Sequence, residues 1–232
     1  MIDTNNLPNH IALIMDGNRT WAKNKGLDPM KGHLKLVIAL DKIIKHAVKL
    51  GINEVTFYAF STENWKRSKE EVNWLMKIYN DFISSFTSNY SDIKFTQLGT
   101  KEELPEFLRK TIIKVEEETY NCNKMKFNMA LNYGGRQEIL NATKNIINKV
   151  INNEINVDEI NEQIFSKELF TSTDVDLMIR TSGQIRVSNY LPWQLSYAEM
   201  YFTNCYWPDF NEDELEKAIE EYQRRNRKFG GK

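Results

Sequence analysis

The chain has 232 residues, 41% of them hydrophobic and 27% charged, with 31 basic side chains against 32 acidic ones. This is the composition of a globular domain with a core, and the near-zero balance excludes the broad basic face of a nucleic-acid binder. No uncharged apolar run approaches the roughly 18 residues that a bilayer span needs, and the opening MIDTNNLPNH lacks the pattern of a secretory signal. Cys122 and Cys205 stand far apart without metal-ligand or disulfide spacing, so both are expected as reduced thiols of the core of a cytoplasmic protein.

In chain order, HIALIMD (10–16) reads as a strand, and residues 33–51 as a helix closed by Gly51. EVTFYAF (54–60) is the next strand. Ser68 with Glu71 forms a capping-box pattern that opens a helix to about residue 90. KFTQLG (94–99) is a third strand, followed by a helix from Thr100 and Glu103 to about Tyr120. KFNMALNY (126–133) is a fourth, leading through Gly134 and Gly135 into a helix ending near Ile151. Asp158 is expected to cap another helix, DVDLMIR (174–180) and AEMYFT (198–203) to be the last strands, and Asn211 with Glu214 to cap the final helix. Strands alternating with helices predict one α/β domain over residues 1–232, a six-stranded, mainly parallel sheet covered on both faces.

In such sheets ligands gather beyond the carboxyl ends of the strands, and four polar, glycine-bearing loops fall there. Asp16-Gly17-Asn18 is either a plain turn or the entrance of an anion site, where helix amides take a phosphate and the carboxylate holds magnesium against it. Trp21 covers that site or packs in the core, and His33 caps a helix or touches a diphosphate. STENWKR (61–67) places Ser61, Asn64, Trp65 and Arg67 in one turn; a capped turn accounts for the first two, an amphipathic substrate for all four. RTSGQIRVSN (180–189) spaces Arg180 and Arg186 around small hydroxyl residues, which suits a diphosphate clamp or a solvated loop of salt bridges. Glu199, inside an apolar segment, needs a partner: an ordinary salt bridge, or a metal shared with Asp16. The helix over 69–90 carries an apolar stripe wider than the usual 100° or so, fit for core, a dimer contact, or the wall of a hydrocarbon tunnel.

The ordered motifs MDGNRTWA, KGH, FYAFSTENWKR, NYGGR, IRTSGQIRVSNYLPWQ, YAEMYF and WPDF resemble those of the cis-prenyltransferases of the bacterial undecaprenyl diphosphate synthase kind, over about residues 8–231. The resemblance implies a homodimer with magnesium and a hydrophobic tunnel. It implies an enzyme that adds isopentenyl diphosphate to farnesyl diphosphate with cis double bonds, making a long, undecaprenyl-length product for a cell-wall lipid carrier. That product would be released to the membrane by an enzyme in the cytoplasm or at the membrane's inner face. By the same resemblance Asp16 is the essential acid working with magnesium, and Glu199 is the second ligand. Gly17, Asn18, Arg19, Thr20, Trp21, Lys31 and His33 line the allylic diphosphate site. Ser61, Thr62, Glu63, Asn64, Trp65 and Arg67 form a closing loop, with Asn64 placed for proton removal, and Arg180, Arg186 and Ser188 clamp isopentenyl diphosphate. The chain departs from the pattern at Arg19-Thr20, where Gly-Arg is usual, at Pro29 for an arginine, at Gln184 for a glutamate and at Lys228 for an arginine. Arg19 and Lys31 are the cations placed to compensate.

Overall fold

The computed structural model describes residues 2–227, and within 29–34 the backbone alone. Its sheet contains β1 (His10–Ile14), β2 (Glu54–Ser61), β3 (Ile93–Leu98), β4 (Met125–Tyr133), β5 (Leu177–Arg180) and β6 (Glu199–Phe202), in the order β3-β4-β2-β1-β5-β6. Every neighbouring pair is parallel, so the sheet is wholly rather than mainly so. The strands alternate between two cores, as a period of two requires. Ile11 and Leu13 join one hydrophobic cluster, Ala12 and Ile14 the other, and all four are buried.

The helices are α1 (Asn18–Asn24), α2 (Pro29–Leu50), α3 (Lys69–Ser84), α4 (Phe86–Asn89), α5 (Glu106–Glu118), α6 (Gly135–Ile151), α7 (Glu162–Lys167) and α8 (Glu212–Arg224). Gly51 ends α2 at a φ of 87°, and Ser68 and Asn211 accept the amide hydrogens of Glu71 and Glu214 as their spacing predicts. Other boundaries moved. α2 begins at Pro29, whose fixed φ suits a first helical turn. The single helix expected to residue 90 breaks at Ser85, so that Phe86 starts α4. α5 waits for Pro105 rather than starting at Thr100, and Asn161, not Asp158, caps α7.

α2, α3 and one face of the sheet enclose a slot. Rings pack in its depth: Phe57, Phe86 and Phe127 are fully buried, with Phe127 5.5 Å from Phe57, 5.2 Å from Phe86 and 5.9 Å from Phe82 between centroids. These separations lie in the range favoured by tilted aromatic pairs. Both cysteines are free and half-buried rather than deep in the core.

The amino edge of the sheet carries a buried polar network. His10, with no exposed surface, presents Nδ1 to the carbonyls of Thr173 and Asp174 at 3.3 and 3.2 Å, and Nε2 lies 2.7 Å from the Thr56 hydroxyl. A neutral ring with its proton on Nδ1 satisfies both sides. Burial holds this imidazole below its ordinary value, against the opposing pull of Glu54. The unfolded chain therefore binds the extra proton below about pH 6.5; the His10 contribution to stability is full above that value and is lost as pH falls toward the folded-state pKa. Urea unfolding between about pH 7.5 and 5.5 should show this as up to about 1.4 kcal/mol per pH unit. His10→Gln should flatten that dependence; equal slopes in variant and wild type would place the acid sensitivity elsewhere.

Candidate active site

β1 and β5 are neighbours whose following loops leave toward opposite faces of the sheet, and a crevice opens beyond their carboxyl ends, where a topological switch is expected to bind ligands. A cavity of about 760 Å³ lies there, lined by residues that include Asp16, Gly17, Asn18, Arg19, Thr20, Ser61, Glu63, Asn64, Arg67, Arg180 and Ser188. Its inner wall is Leu36, Tyr58, Ala59, Phe60 and Tyr79. One cavity therefore joins a polar mouth to an apolar interior.

At the mouth Arg180, 3% exposed, donates from one Nη to Asp16 Oδ2 at 2.8 Å and from the other to Ser188 Oγ at 2.7 Å and to the Arg186 carbonyl. Its Nε is buried without a partner among the described residues. Asp16 is braced through its backbone: its N–H donates to Thr181 Oγ1 at 2.9 Å, and its carbonyl accepts from that hydroxyl and from the Trp207 amide. Asp16 Oδ1 accepts the Gly17 N–H at 2.8 Å. Gly17 has φ near 100°, and a Cβ there would lie 2.6 Å from the Tyr206 ring, so both conformation and space demand glycine. The Asn18 amide donates to the Met15 carbonyl, and its Oδ1 is buried without a partner among the described residues.

Ser61 and Asn64 form a reciprocal cap over a 3₁₀ turn at 62–66, as the duller reading of that stretch supposes. Asn64 Oδ1 accepts the Ser61 N–H at 3.1 Å; what it can offer a ligand is its amide donors, and a neutral carboxamide is a poor proton acceptor. Partial burial would raise the Glu63 pKa, but hydrogen bonds from its own backbone, Ser61, Asn189 and Thr62 hold it below the ordinary carboxylate value. Glu71 pairs with Arg67 at 3.2 Å and lies 3.7 Å from Arg19, which ties the loops after β1 and β2 together.

Several expected residues stand outside the cavity lining. Trp21 is 6% exposed, carries Lys25 over its ring and packs as core rather than as a cover. Trp65 packs edge-on against Phe60 and donates to Asn132 Oδ1 at 2.7 Å, while Thr62 sits against Gly134. Arg186 is exposed and turns to Gln184, so the two arginines do not form one fork. Glu199 is a clear correction. It begins β6, opposite Leu177 and three residues short of the level of Arg180, about 10 Å down the strand direction, and it holds Arg225 at 2.7 Å. Within the chain it cannot share a metal with Asp16. The side chains of Lys31 and His33, and Lys228 as a whole, lie outside the described residues.

The sequence reading missed Tyr58, Asn189, Glu71 and Tyr79. Tyr58 stacks on Tyr190 at 4.4 Å and donates weakly to the Ser188 carbonyl at 3.4 Å; burial pushes its phenol up. A register shift between Tyr58 and Phe60 leaves the Ala59 carbonyl free to take the Tyr79 hydroxyl at 2.7 Å. Bulges of this sort are common beside active sites, yet their cause is pairing with β4, which strand patterning in β2 alone does not reveal.

A family model described as putative undecaprenyl diphosphate synthase matches residues 14–230. The chain is 48% identical over 226 residues to a chloroplastic nerylneryl diphosphate synthase of Solanum lycopersicum, covering 97% of this chain and 71% of that protein. It is 44% identical over 234 residues to the ditrans,polycis-undecaprenyl-diphosphate synthase of Micrococcus luteus, described as (2E,6E)-farnesyl-diphosphate specific, covering 99% and 94% of the two chains. In structure it is similar to lavandulyl diphosphate synthase from Lavandula x intermedia, solved with dimethylallyl diphosphate, with a TM-score of 0.93, 39% identity and coverage of 98% and 100%. With a polar mouth over an apolar interior, and with these relatives along nearly its whole length, the chain belongs to the undecaprenyl diphosphate synthase family of cis-prenyltransferases.

Proposed function

We propose that this cis-prenyltransferase condenses isopentenyl diphosphate onto an allylic diphosphate, with farnesyl diphosphate as a primer, in the cavity beyond β1 and β5. The observation that carries the reading is the Asp16–Arg180–Ser188 group at the mouth of a cavity whose interior is apolar. Anionic heads belong at the first and hydrocarbon at the second. Arg180 would grip a diphosphate through the Nη atoms it now commits to Asp16 and Ser188, and through the unused Nε. Arg19 and Arg67, joined by Glu71, lie on the side where the allylic diphosphate would sit. Asn64 and Ser61 would donate hydrogen bonds to it from the capped turn.

Magnesium fits this donor set. A hard cation takes one or two carboxylates together with substrate phosphates, and Asp16 is a carboxylate at the mouth, with Asn18 Oδ1, unpartnered among the described residues, two positions along the chain. When bound, the ion would neutralise charge on a departing diphosphate. The chain's own part is to hold both diphosphates near Arg180 and to keep water from the reacting carbons with Tyr58, Phe60 and Leu36. The new bond joins the terminal methylene carbon of isopentenyl diphosphate to the first carbon of the allylic substrate. The diphosphate leaves with its bonding pair, and one proton is lost to a basic oxygen in the cavity.

A second copy of this chain is the proposed partner, supported by an exposed apolar stripe of Leu140, Ile147 and Ile151 on α6. Among the described residues no helix is long and apolar enough to cross a membrane, in keeping with a product handed to the membrane from its cytoplasmic face. An undecaprenyl product, which would serve as a cell-wall lipid carrier, has the Micrococcus relative's name behind its length alone, whereas the Solanum relative's name specifies a nerylneryl product. The space behind the diphosphates decides between long and short products.

Three outcomes test the site, read with farnesyl diphosphate, labelled isopentenyl diphosphate and magnesium. Asp16→Ala should lower turnover by at least about a hundredfold, the scale of removing one preorganised charge-stabilising group, without changing the circular dichroism; near-wild-type turnover in a folded variant would remove Asp16 from the chemistry. Arg180→Ala should raise KM for isopentenyl diphosphate about tenfold or more, for a charge-assisted contact of about 1.5–3 kcal/mol, and Arg186→Ala should do much less because its guanidinium is exposed. Equal effects of the two substitutions would contradict that ranking. Arg19→Gly should weaken farnesyl diphosphate by about tenfold at low salt and less at moderate salt, as screening of a half-exposed cation requires. Unchanged affinity would leave Arg19 a surface charge.

A further inference from the structure

Glu138 lies in the first turn of α6, 1% exposed, and the reaction proposed above makes no use of it. A buried carboxylate ordinarily needs a cation, yet among the described residues none pairs with it. Three donors meet it instead. Oε2 accepts the Tyr133 hydroxyl, and Oε1 accepts the Phe170 N–H at 2.9 Å and Gln194 Nε2 at 3.1 Å. Burial pushes this carboxyl above its ordinary value, and the hydrogen bonds from Tyr133, Phe170 and Gln194 pull against that shift. The amino end of α6 adds a dipole that favours the charged form. With its proton committed to Glu138, the Tyr133 oxygen is left as an acceptor, and it takes the Leu191 N–H at 3.2 Å. Tyr133 and Leu191 are both fully buried.

This relay ends on the segment that completes the mouth of the cavity. Ser188, Asn189 and Leu191 have φ of 50°, 60° and 44°, a conformation that non-glycine residues keep only where their neighbours hold them. At one end of the stretch the Ser188 hydroxyl accepts from Arg180 at 2.7 Å. At the other, three residues on, the Leu191 amide is tied to Tyr133. Between them the Tyr190 hydroxyl donates to the Thr56 carbonyl at 2.9 Å, and the Asn189 carbonyl accepts the Gly135 N–H at 2.8 Å. Resting on the prenyl-transfer reading, we infer that Tyr133 and Glu138 are positioning residues for isopentenyl diphosphate: the Leu191–Tyr133–Glu138 relay sets the place of Ser188, and with it the Arg180 guanidinium that grips the diphosphate.

The relay has a direction that only a carboxylate supplies. An ionised carboxyl group accepts at both oxygens, whereas an amide accepts at one end and donates at the other. Wherever the NH₂ of a glutamine at 138 pointed, it would meet a donor: the Tyr133 hydroxyl on one side, the Phe170 and Gln194 N–H groups on the other. Turned to Tyr133, it would reverse the hydroxyl and set its proton against the Leu191 N–H. The error would then fall on the segment carrying Ser188, and small displacements of a group that orients a substrate are costly. The allylic side is supported separately, since the 3₁₀ turn at 62–66 has its own cap in Ser61 and Asn64.

The test is steady-state kinetics of the full chain with farnesyl diphosphate, labelled isopentenyl diphosphate and magnesium at mildly alkaline pH, reading KM for each substrate separately. Tyr133→Phe should raise KM for isopentenyl diphosphate about five- to tenfold, the scale of one lost buried hydrogen bond, and KM for farnesyl diphosphate by less than about twofold. Glu138→Gln should give the same split. Ser188→Ala should raise KM for isopentenyl diphosphate as well, and adding Tyr133→Phe to it should change that value by less than about twofold more, because residues acting through one another are not additive. Tyr133→Phe deletes one hydroxyl and keeps the ring, so it decides the question even if Glu138→Gln does not fold. Equal rises for both substrates, or effects of Tyr133→Phe and Ser188→Ala that multiply, would make the relay a general prop of the fold and overturn the inference. An unchanged KM for isopentenyl diphosphate in Tyr133→Phe would overturn it too, with the prenyl-transfer reading left intact. No incorporation by the wild type would overturn that reading itself, and this inference with it.

Discussion

A buried guanidinium must be surrounded by acceptors, and that requirement on Arg180 organises the carboxyl edge of the sheet. Leaving such a cation unpaired would cost several kcal/mol, so the loop after β1 has to present Asp16, and the loop after β5 has to curl back and present Ser188 and the Arg186 carbonyl. The curl is made with left-handed backbone at Ser182, Gly183, Ser188, Asn189 and Leu191, conformations that non-glycine residues hold only when their surroundings enforce them. The surroundings do so: Asn189 accepts the Arg136 amide, and Gly135 lies against Pro192 so closely that a Cβ would meet its ring at 2.1 Å. The glycines of the NYGGR motif thus make room for the loop that partners an arginine three strands away in the sheet.

The opposite edge is built on another logic. There His10, Glu54, Thr56, Lys126, Asn128 and Thr171 satisfy one another by hydrogen bonds and ion pairs, and no cavity residue of the carboxyl edge belongs to the group. A hydrogen-bonded network of this kind rigidifies one end of the strands, although Asn128 Oδ1 within it has no partner among the described residues; at the other end Arg180 Nε and Asn18 Oδ1 are likewise unpartnered there.

The fold was legible because its signals are local: alternation in β1, the glycine that ends α2, and the Ser68 and Asn211 caps each depend on residues within a few positions. So was the place of the site, since strand ends in a parallel sheet share an edge. What could not be read is what depends on register. Glu199 looked equivalent to Asp16 as a carboxylate near a strand, but pairing of β6 with β5 sets it at the wrong end. Trp21 reads from its loop as a cover of the site or as core, and Trp65 as part of a substrate-binding turn, because the direction of a side chain leaving a turn is decided by distant neighbours. The apolar stripe of α3 was equally consistent with lining a tunnel or filling one, because width says how much surface is buried and not against what. Ring contacts with Phe127 of β4 show that Phe82 of that stripe packs in the core.

The two partners of the central ion pair are 164 residues apart in the chain. β1, which carries one of them, is flanked by β2 and by β5, so the strand that completes its pairing comes late in the sequence. Contacts of such separation form last, after the entropy of closing the long loop has been met. A nascent chain that has not yet emitted β5 therefore lacks the Asp16–Arg180 pair at the mouth of the cavity. The complete mouth of the cavity is in this sense a certificate of completed folding: a truncated or half-folded copy cannot assemble it.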